Sequence, residues 1–330
     1  MVNTAMANTS DLLVGYAMAV YAGSLLAYSW DLSGRGKAMA GAAEPAPELV
    51  GVRAGTGGAT VTEGSSEPES VAVASSSLPF AGDDRPSKAA GIGTSLAWVA
   101  LLLHLGALLT RGLAVSRVPW GNMYEFALTG SALMSLVYLV MVARRRAWRI
   151  IGTFVVGPVL LVLGMAVLFW YTVAARLVPA LQDSFLVIHV SVASLSVALF
   201  AIAFSVQVLQ LVRGRPAGGR LLDRLPSTQK LEQAGYRLIA MSFPLWTFTV
   251  VAGAIWAEKS WGRYWGWDPK EVWSFVIWVV YAAYLHARVT RGWDGRRATY
   301  LALAGFVCVV LNFVVVNVFF VGQHSYSGIG

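Results

Sequence analysis

The sequence predicts an all-α fold: a polytopic transmembrane bundle of about eight helical spans, with both termini outside. Two observations carry this expectation. Hydrophobic residues make up 57% of the 330-residue chain and charged residues 13%. Uninterrupted apolar stretches of roughly 18 or more residues recur, each enough to cross a hydrocarbon core about 30 Å thick. A soluble α/β chain would show short buried runs bounded by turns. The lipid bilayer is therefore the first partner the sequence implies.

The spans fall at 12–30, 93–111, 124–143, 150–172, 185–212, 238–256, 271–289 and 299–320. Met1 to Ser10 contain no Lys or Arg, so this end lacks the positive start of a secretory signal, and 12–30 reads as a true span. Residues 31–91 are rich in Ala, Gly, Ser, Pro and Glu, with almost no aromatics. They bury too little to fold and read as a disordered cytoplasmic linker. The chain thus divides into an N-terminal span (1–30), a linker (31–91) and a seven-span working unit (92–330).

Cations set the orientation. They crowd into Arg144-Arg145-Arg146 with Arg149, into the group from Arg213 to Arg237, and into Arg288, Arg291, Arg296 and Arg297. Connections of the other parity are poorer. The basic set is expected in the cytoplasm of a multi-pass plasma-membrane protein, with the loop after the sixth span outside. The net charge of +8 is then a topology signal. A nucleic-acid partner would need a basic soluble domain, and none is present. Cys308 is the sole cysteine, so an internal disulfide and a Cys-x-x-Cys relay are excluded. Inside the last span it reads as a small packed hydrophobe.

The loop after the sixth span holds the strongest signal. Six of the thirteen tryptophans lie between Trp256 and Trp278, and the stretch from Trp261 through Trp265, Trp267 and Asp268 to Trp273 is spaced by glycines. Interfacial tryptophans usually occur as scattered anchors. A cluster with Lys259, Arg263 and Lys270 among the rings suits a broad, flat, negatively charged aromatic ligand, although each cation taken alone also suits interfacial snorkelling. Asp268, Pro269 and Glu271 form a capping-box start to the seventh span. That start is compatible both with a purely structural role and with one of holding the loop.

All four histidines, His104, His189, His286 and His324, lie in or at the ends of spans, where ionisable groups are expensive and functional by default. His189 is about 6 Å below the outer edge of the fifth span, and His286 about 24 Å down the seventh. His324 lies just beyond the outer end of the eighth, and His104 is midway along the second. Two histidines near the outer surface and two in the membrane suit bis-imidazole iron, as in haem. A zinc site would want a compact tetrahedral set, which is absent.

These stretches, with Pro119-Trp120-Gly121-Asn122-Met123-Tyr124-Glu125-Phe126, Pro179-Ala180-Leu181-Gln182 leading to Ile188-His189-Val190, and Gly322-Gln323-His324-Ser325-Tyr326, resemble a known family. The tryptophan loop resembles the WWD signature of haem-handling proteins. Residues 93–330 are similar to the CcsA (ResC) component of System II cytochrome c biogenesis in its actinobacterial form, often called CcsB. The first span and linker fall outside the resemblance. It implies haem b, carried as cargo, presented outside on the WWD loop, with His189 and His324 as external axial ligands and His286, with His104 less closely matched, as membrane ligands. It also implies a ResB-type membrane partner (also called Ccs1-type), an apocytochrome c whose Cys-x-x-Cys-His thiols receive the haem vinyl groups, and a thiol-reducing protein of the outer face. This chain would be the haem-handling subunit of a holocytochrome c synthase, working by positioning its cargo. A membrane b-type cytochrome moving electrons and a haem exporter or chaperone without ligation activity are the alternatives at this stage.

Overall fold

The computed structural model describes residues 2–41, 87–175, 184–214 and 225–323. Residues 42–86, most of the expected linker, and His324 lie outside them. All regular structure among the described residues is helical. The elements are α1 (Thr4–Gly41), α2 (Lys88–Val115), α3 (Met123–Arg144), a 3-10 turn (Arg146–Ile151) leading into α4 (Gly152–Phe169), α5 (Ser184–Arg213), α6 (Thr228–Trp261), α7 (Pro269–Thr290) and α8 (Gly295–Val310). A π turn (Leu311–Val315) and a last helical turn, α9 (Val316–Phe319), continue α8. Eight of these helices are long and apolar enough to cross a membrane.

The helix ends differ from the hydropathy reading for identifiable reasons. Helix α1 runs past residue 30 to Gly41, because no proline interrupts it before Pro45 and extending a formed helix is cheap. Helix α6 begins at Thr228 rather than 238. Its first turns are polar and invisible to hydropathy, yet Ser227 caps them by accepting the Lys230 amide at 3.3 Å. At its other end Gly262 stops α6 with φ +70°, a left-handed value that glycine adopts without strain.

Polar side chains join neighbouring helices where the apolar faces alone would slide. Ser10 Oγ donates to the Ala107 carbonyl at 2.8 Å and Ser24 Oγ to the Gly93 carbonyl at 2.7 Å, tying α1 along α2. Ser196 and Ser242 bond reciprocally between α5 and α6, each hydroxyl donating to the other's carbonyl, at 3.0 and 2.7 Å. Small residues at such contacts let helix backbones approach closely. Helix α5 is central, packing on α3, α4, α6 and α8.

Charged clusters clamp the two ends of the bundle. Away from the tryptophan loop, Glu232 accepts from Arg288, from the Gly295 amide at 3.0 Å and from Gln210 Nε2 at 3.2 Å, joining α5 through α8. At the tryptophan end, Glu125 is completely buried. It accepts from Arg111 Nε at 3.0 Å, Arg117 Nη1 at 2.7 Å and the Gly121 amide at 2.7 Å. The two arginines also donate to the carbonyls of Thr172 and Ala175 after α4. This cluster fixes the turn carrying Trp120 and the start of α3 carrying Phe126, both of which pack towards the site.

Candidate functional site

The tryptophan loop is held by two carboxylates at the start of α7. Glu271 Oε2 accepts the Gly266 amide at 2.8 Å and the Asp268 amide at 3.1 Å. Two amides flanking Trp267 thus converge on one oxygen, and Trp267 takes φ +57°, a conformation that a bulky residue adopts only under such constraint. The constraint turns its ring outwards, 75% exposed, edge-on to Trp265 at 5.9 Å. Asp268 forms the predicted capping box with Glu271. Its Oδ2 accepts the Lys270 amide at 3.2 Å, while Oδ1 accepts the Gln323 amide at 2.7 Å. Arg263 adds a second tie, donating to Gln323 Oε1 at 2.7 Å. The loop is therefore sewn to the chain immediately before His324.

Behind the loop lies a cavity of about 240 Å³. His189, Val190 and Ala193 of α5 form one wall, and Trp246, Thr249, Gly253 and Trp256 of α6 the next. Tyr264 and Trp265 of the loop, Phe126 of α3, and Val309 and Phe313 of the last span add apolar and aromatic surface. Its polar side comes from Lys270, Glu271, Ser274, Asn312 and Asn317. The π turn in the last span is part of this side: the Asn312 carbonyl accepts from Lys270 Nζ at 2.8 Å, and Asn317 Oδ1 accepts from it at 2.9 Å. Lys270, in the first turn of α7, thus points inward onto the π turn, a feature that often marks function, and is not a rim residue. Lys259 and Arg263 remain exposed at the rim, Lys259 lying over the Phe185 ring at 5.2 Å.

The six tryptophans do not form one flat platform. Trp256 is buried, stacked parallel to His189 at 6.3 Å and 13°, with Trp261 edge-on to it at 4.8 Å. Only Trp256 and Trp265 of the predicted set line the cavity; Trp261, Trp267 and the half-buried Trp273 do not. Trp120 and Phe126 join Trp256, Trp261 and Phe185 in one apolar cluster. Both are held there by the neighbouring Glu125, whose arginine partners no local pattern announces. Trp246 and Tyr264 were also missed as site residues, one inside a long apolar run and the other uncounted among the tryptophans.

The histidines separate. His189 reaches the cavity, its Nδ1 3.1 Å from the Thr249 carbonyl. His324 lies outside the described residues, one position after the tethered Gln323. The two histidines expected in the membrane lie on helices that do not pack together. His104 has no exposed surface and is wedged edge-on against Tyr21 at 6.1 Å, with neither ring nitrogen hydrogen-bonded. His286 is exposed on α7. Helix α2 packs on α1, α3 and α4, whereas α7 packs on α6, α8 and α9, so the two rings are not brought to one iron. Replacing an unpaired buried polar group by an apolar one is near neutral or stabilising. His104→Leu is accordingly expected to melt in detergent at or above the parent temperature with unchanged haem content. A fall in haem content would return His104 to the site.

Comparison with known proteins places this architecture. The sequence profile of the family described as cytochrome c assembly protein matches residues 120–324. The cytochrome c biogenesis protein CcsA of Gloeobacter violaceus is 34% identical over 297 residues, covering 72% of this chain and 86% of that one. CcsA of Guillardia theta is 34% identical over 263 residues, covering 71% and 84%. A solved structure, the cytochrome c haem lyase CcmF, shares the fold with a TM-score of 0.57 at 17% identity, over 94% of this chain and 47% of that one. The present chain thus spans about half of that structure's length. The matched region begins at Trp120 and runs through the α5–α6 wall, the tryptophan loop and the tether to His324, so the chain belongs to the cytochrome c assembly protein family, with the CcsA-type biogenesis proteins.

Proposed function

We propose that this chain binds haem b as cargo in the cavity behind the tryptophan loop and presents it, at the outer face of the plasma membrane, for thioether attachment to the Cys-x-x-Cys-His thiols of an apocytochrome c. The observation that carries this reading is the placement of His189: an imidazole on the wall of an aromatic cavity, backed by Trp256. Aromatic faces stack favourably on a porphyrin, and imidazole is the usual axial donor to its iron. His324 supplies the second axial nitrogen, since the Asp268 and Arg263 ties bring the preceding residue to the loop. The exposed Lys259 and Arg263 are placed to pair with propionates at the rim, and Lys270 lines the polar side.

Thioether formation adds each thiol S–H across a vinyl double bond, so nothing leaves and no nucleophile from this chain is needed. What the chain supplies is orientation. A ResB-type membrane protein is the partner, and a thiol-reducing protein of the outer face keeps the acceptor cysteines reduced. His286 faces away from the bundle, so a membrane haem at that histidine takes its other ligand from outside this chain. The separation of His104 from His286 counts against a b-type electron carrier, which needs ligand pairs inside its own bundle.

The test is maturation. Co-produced with a ResB-type partner and a Cys-x-x-Cys-His apocytochrome in a host lacking its own maturation system, the chain is expected to yield covalent haem-stained cytochrome. The Trp256→Ala/Trp265→Ala variant is expected to lose most of it while still accumulating in the membrane. Normal maturation by that variant would reduce the aromatic cluster to a membrane anchor.

A further inference from the structure

The contact between α5 and α6 at His189 is closer than an ordinary side chain allows. A Cβ added at Gly253 would sit 2.8 Å from His189 Cε1, nearer than real Cβ atoms come to a neighbour, and 3.3 Å from Nδ1, tighter than most. In an α-helix the Thr249 carbonyl is the acceptor for the amide of Gly253, four residues on. The same carbonyl is the partner of His189 Nδ1 at 3.1 Å, so the imidazole passes over Gly253 to reach it. A carbonyl oxygen only accepts hydrogen bonds, so Nδ1 carries the proton, and in the neutral ring the lone pair is then on Nε2. Histidines that bind metals are commonly oriented by a bond of this kind from the other ring nitrogen. Trp256, one turn beyond Gly253, lies parallel to the ring, offset with centroids 6.3 Å apart.

We propose that Gly253 is a positioning residue for the site: its missing side chain admits His189 to the Thr249 carbonyl, which sets the ring's direction and selects the tautomer whose Nε2 binds haem iron. This rests on the reading of His189 as a haem ligand. The bond is to backbone, so the Thr249 side chain, whose hydroxyl is spent on the Leu245 carbonyl at 2.9 Å, is not the selective element. Glycine at 253 is.

The experiment uses the full chain in detergent, reconstituted with haem, and reads spin state, reduction potential and haem retention. Gly253→Ala is expected to shift the iron from low-spin towards high-spin, move its potential and weaken haem retention about 10- to 100-fold, the usual penalty for losing an outer-shell partner. Added imidazole is expected to restore the low-spin spectrum. Gly235→Ala is the packing control. It lies on the same helix pair, with a Cβ that would meet Gln207 at 3.0 Å, but far from the site, and is expected to lower the melting temperature without altering the spectrum. Wild-type spectrum and retention in Gly253→Ala, with both lost in His189→Ala, would overturn the positioning role and leave the site reading intact. No change in His189→Ala would overturn both. A measurement that needs no variant at 253 is nitrogen NMR of the haem-free protein labelled at histidine, with the His189 signal assigned by its absence in His189→Ala. Nδ1 protonation is expected, and an Nε2–H tautomer would overturn the proposal even if Gly253→Ala failed to fold.

Discussion

Glu125→Ala is expected to be among the most destabilising single substitutions in this protein. Glu125 is fully buried and Arg111 nearly so, and they meet at 3.0 Å. Removing the carboxylate leaves a buried guanidinium without its main counter-charge, a loss of about 3–5 kcal/mol for a broken buried pair. It also releases Arg117 and the Gly121 amide, so the Trp120 turn and the start of α3 lose their anchor together. Glu125→Gln keeps an acceptor oxygen but not the charge, and is expected to fall between Ala and the parent. Melting in detergent measures both, and haem retention should fall as Phe126 shifts in the cavity wall. An Ala variant within about 1 kcal/mol of the parent would show that water enters the cluster and satisfies Arg111 unaided.

Asp268→Ala is expected to act on function more than on stability. Loss of a helix N-cap costs about 1 kcal/mol, which leaves a bundle of this size folded. The second loss is specific: Oδ1 no longer holds the Gln323 amide, and the segment leading to His324 is detached from the loop save for Arg263. Cytochrome maturation is expected to fall to a small fraction of normal while melting changes little. Asp268→Asn separates the two roles, since Asn also caps helices well but offers only one acceptor oxygen; it is expected to keep the fold and lose part of the activity. Equal activity in Asp268→Ala and the parent would make the tether to Gln323 dispensable.

How much of this was legible in the sequence depended on whether the signal was local. Apolar length revealed the spans, because crossing hydrocarbon imposes a minimum run on any helix. The capping box was legible because its partners lie within four residues. What escaped were contacts between distant parts of the chain. Asp268 reads as a cap, and nothing local reveals that its other oxygen holds Gln323. Glu125 reads as one carboxylate in an apolar span, and only the fold shows two arginines from the end of α2 and the following turn around it. The tryptophans read as one platform because spacing counts rings and does not orient them; the positive φ at Trp267 sends one outwards while Trp256 goes inwards. His104 and His286 looked alike as intramembrane imidazoles. Depth along a helix is readable from sequence, but the direction a ring faces around it is set by neighbours: His104 is buried against Tyr21 of α1, whereas His286 is exposed on α7.

His189, on the wall of the cavity beside the tryptophan loop, is the proposed ligand to haem iron. The most direct test is the optical and electron paramagnetic spectrum of the purified full-length protein reconstituted with haem b, parent against His189→Ala. A six-coordinate low-spin spectrum is expected in the parent, lost in His189→Ala and partly recovered with added imidazole. An identical low-spin spectrum in His189→Ala would mean that the iron is held elsewhere in the chain and that His189 is not its ligand.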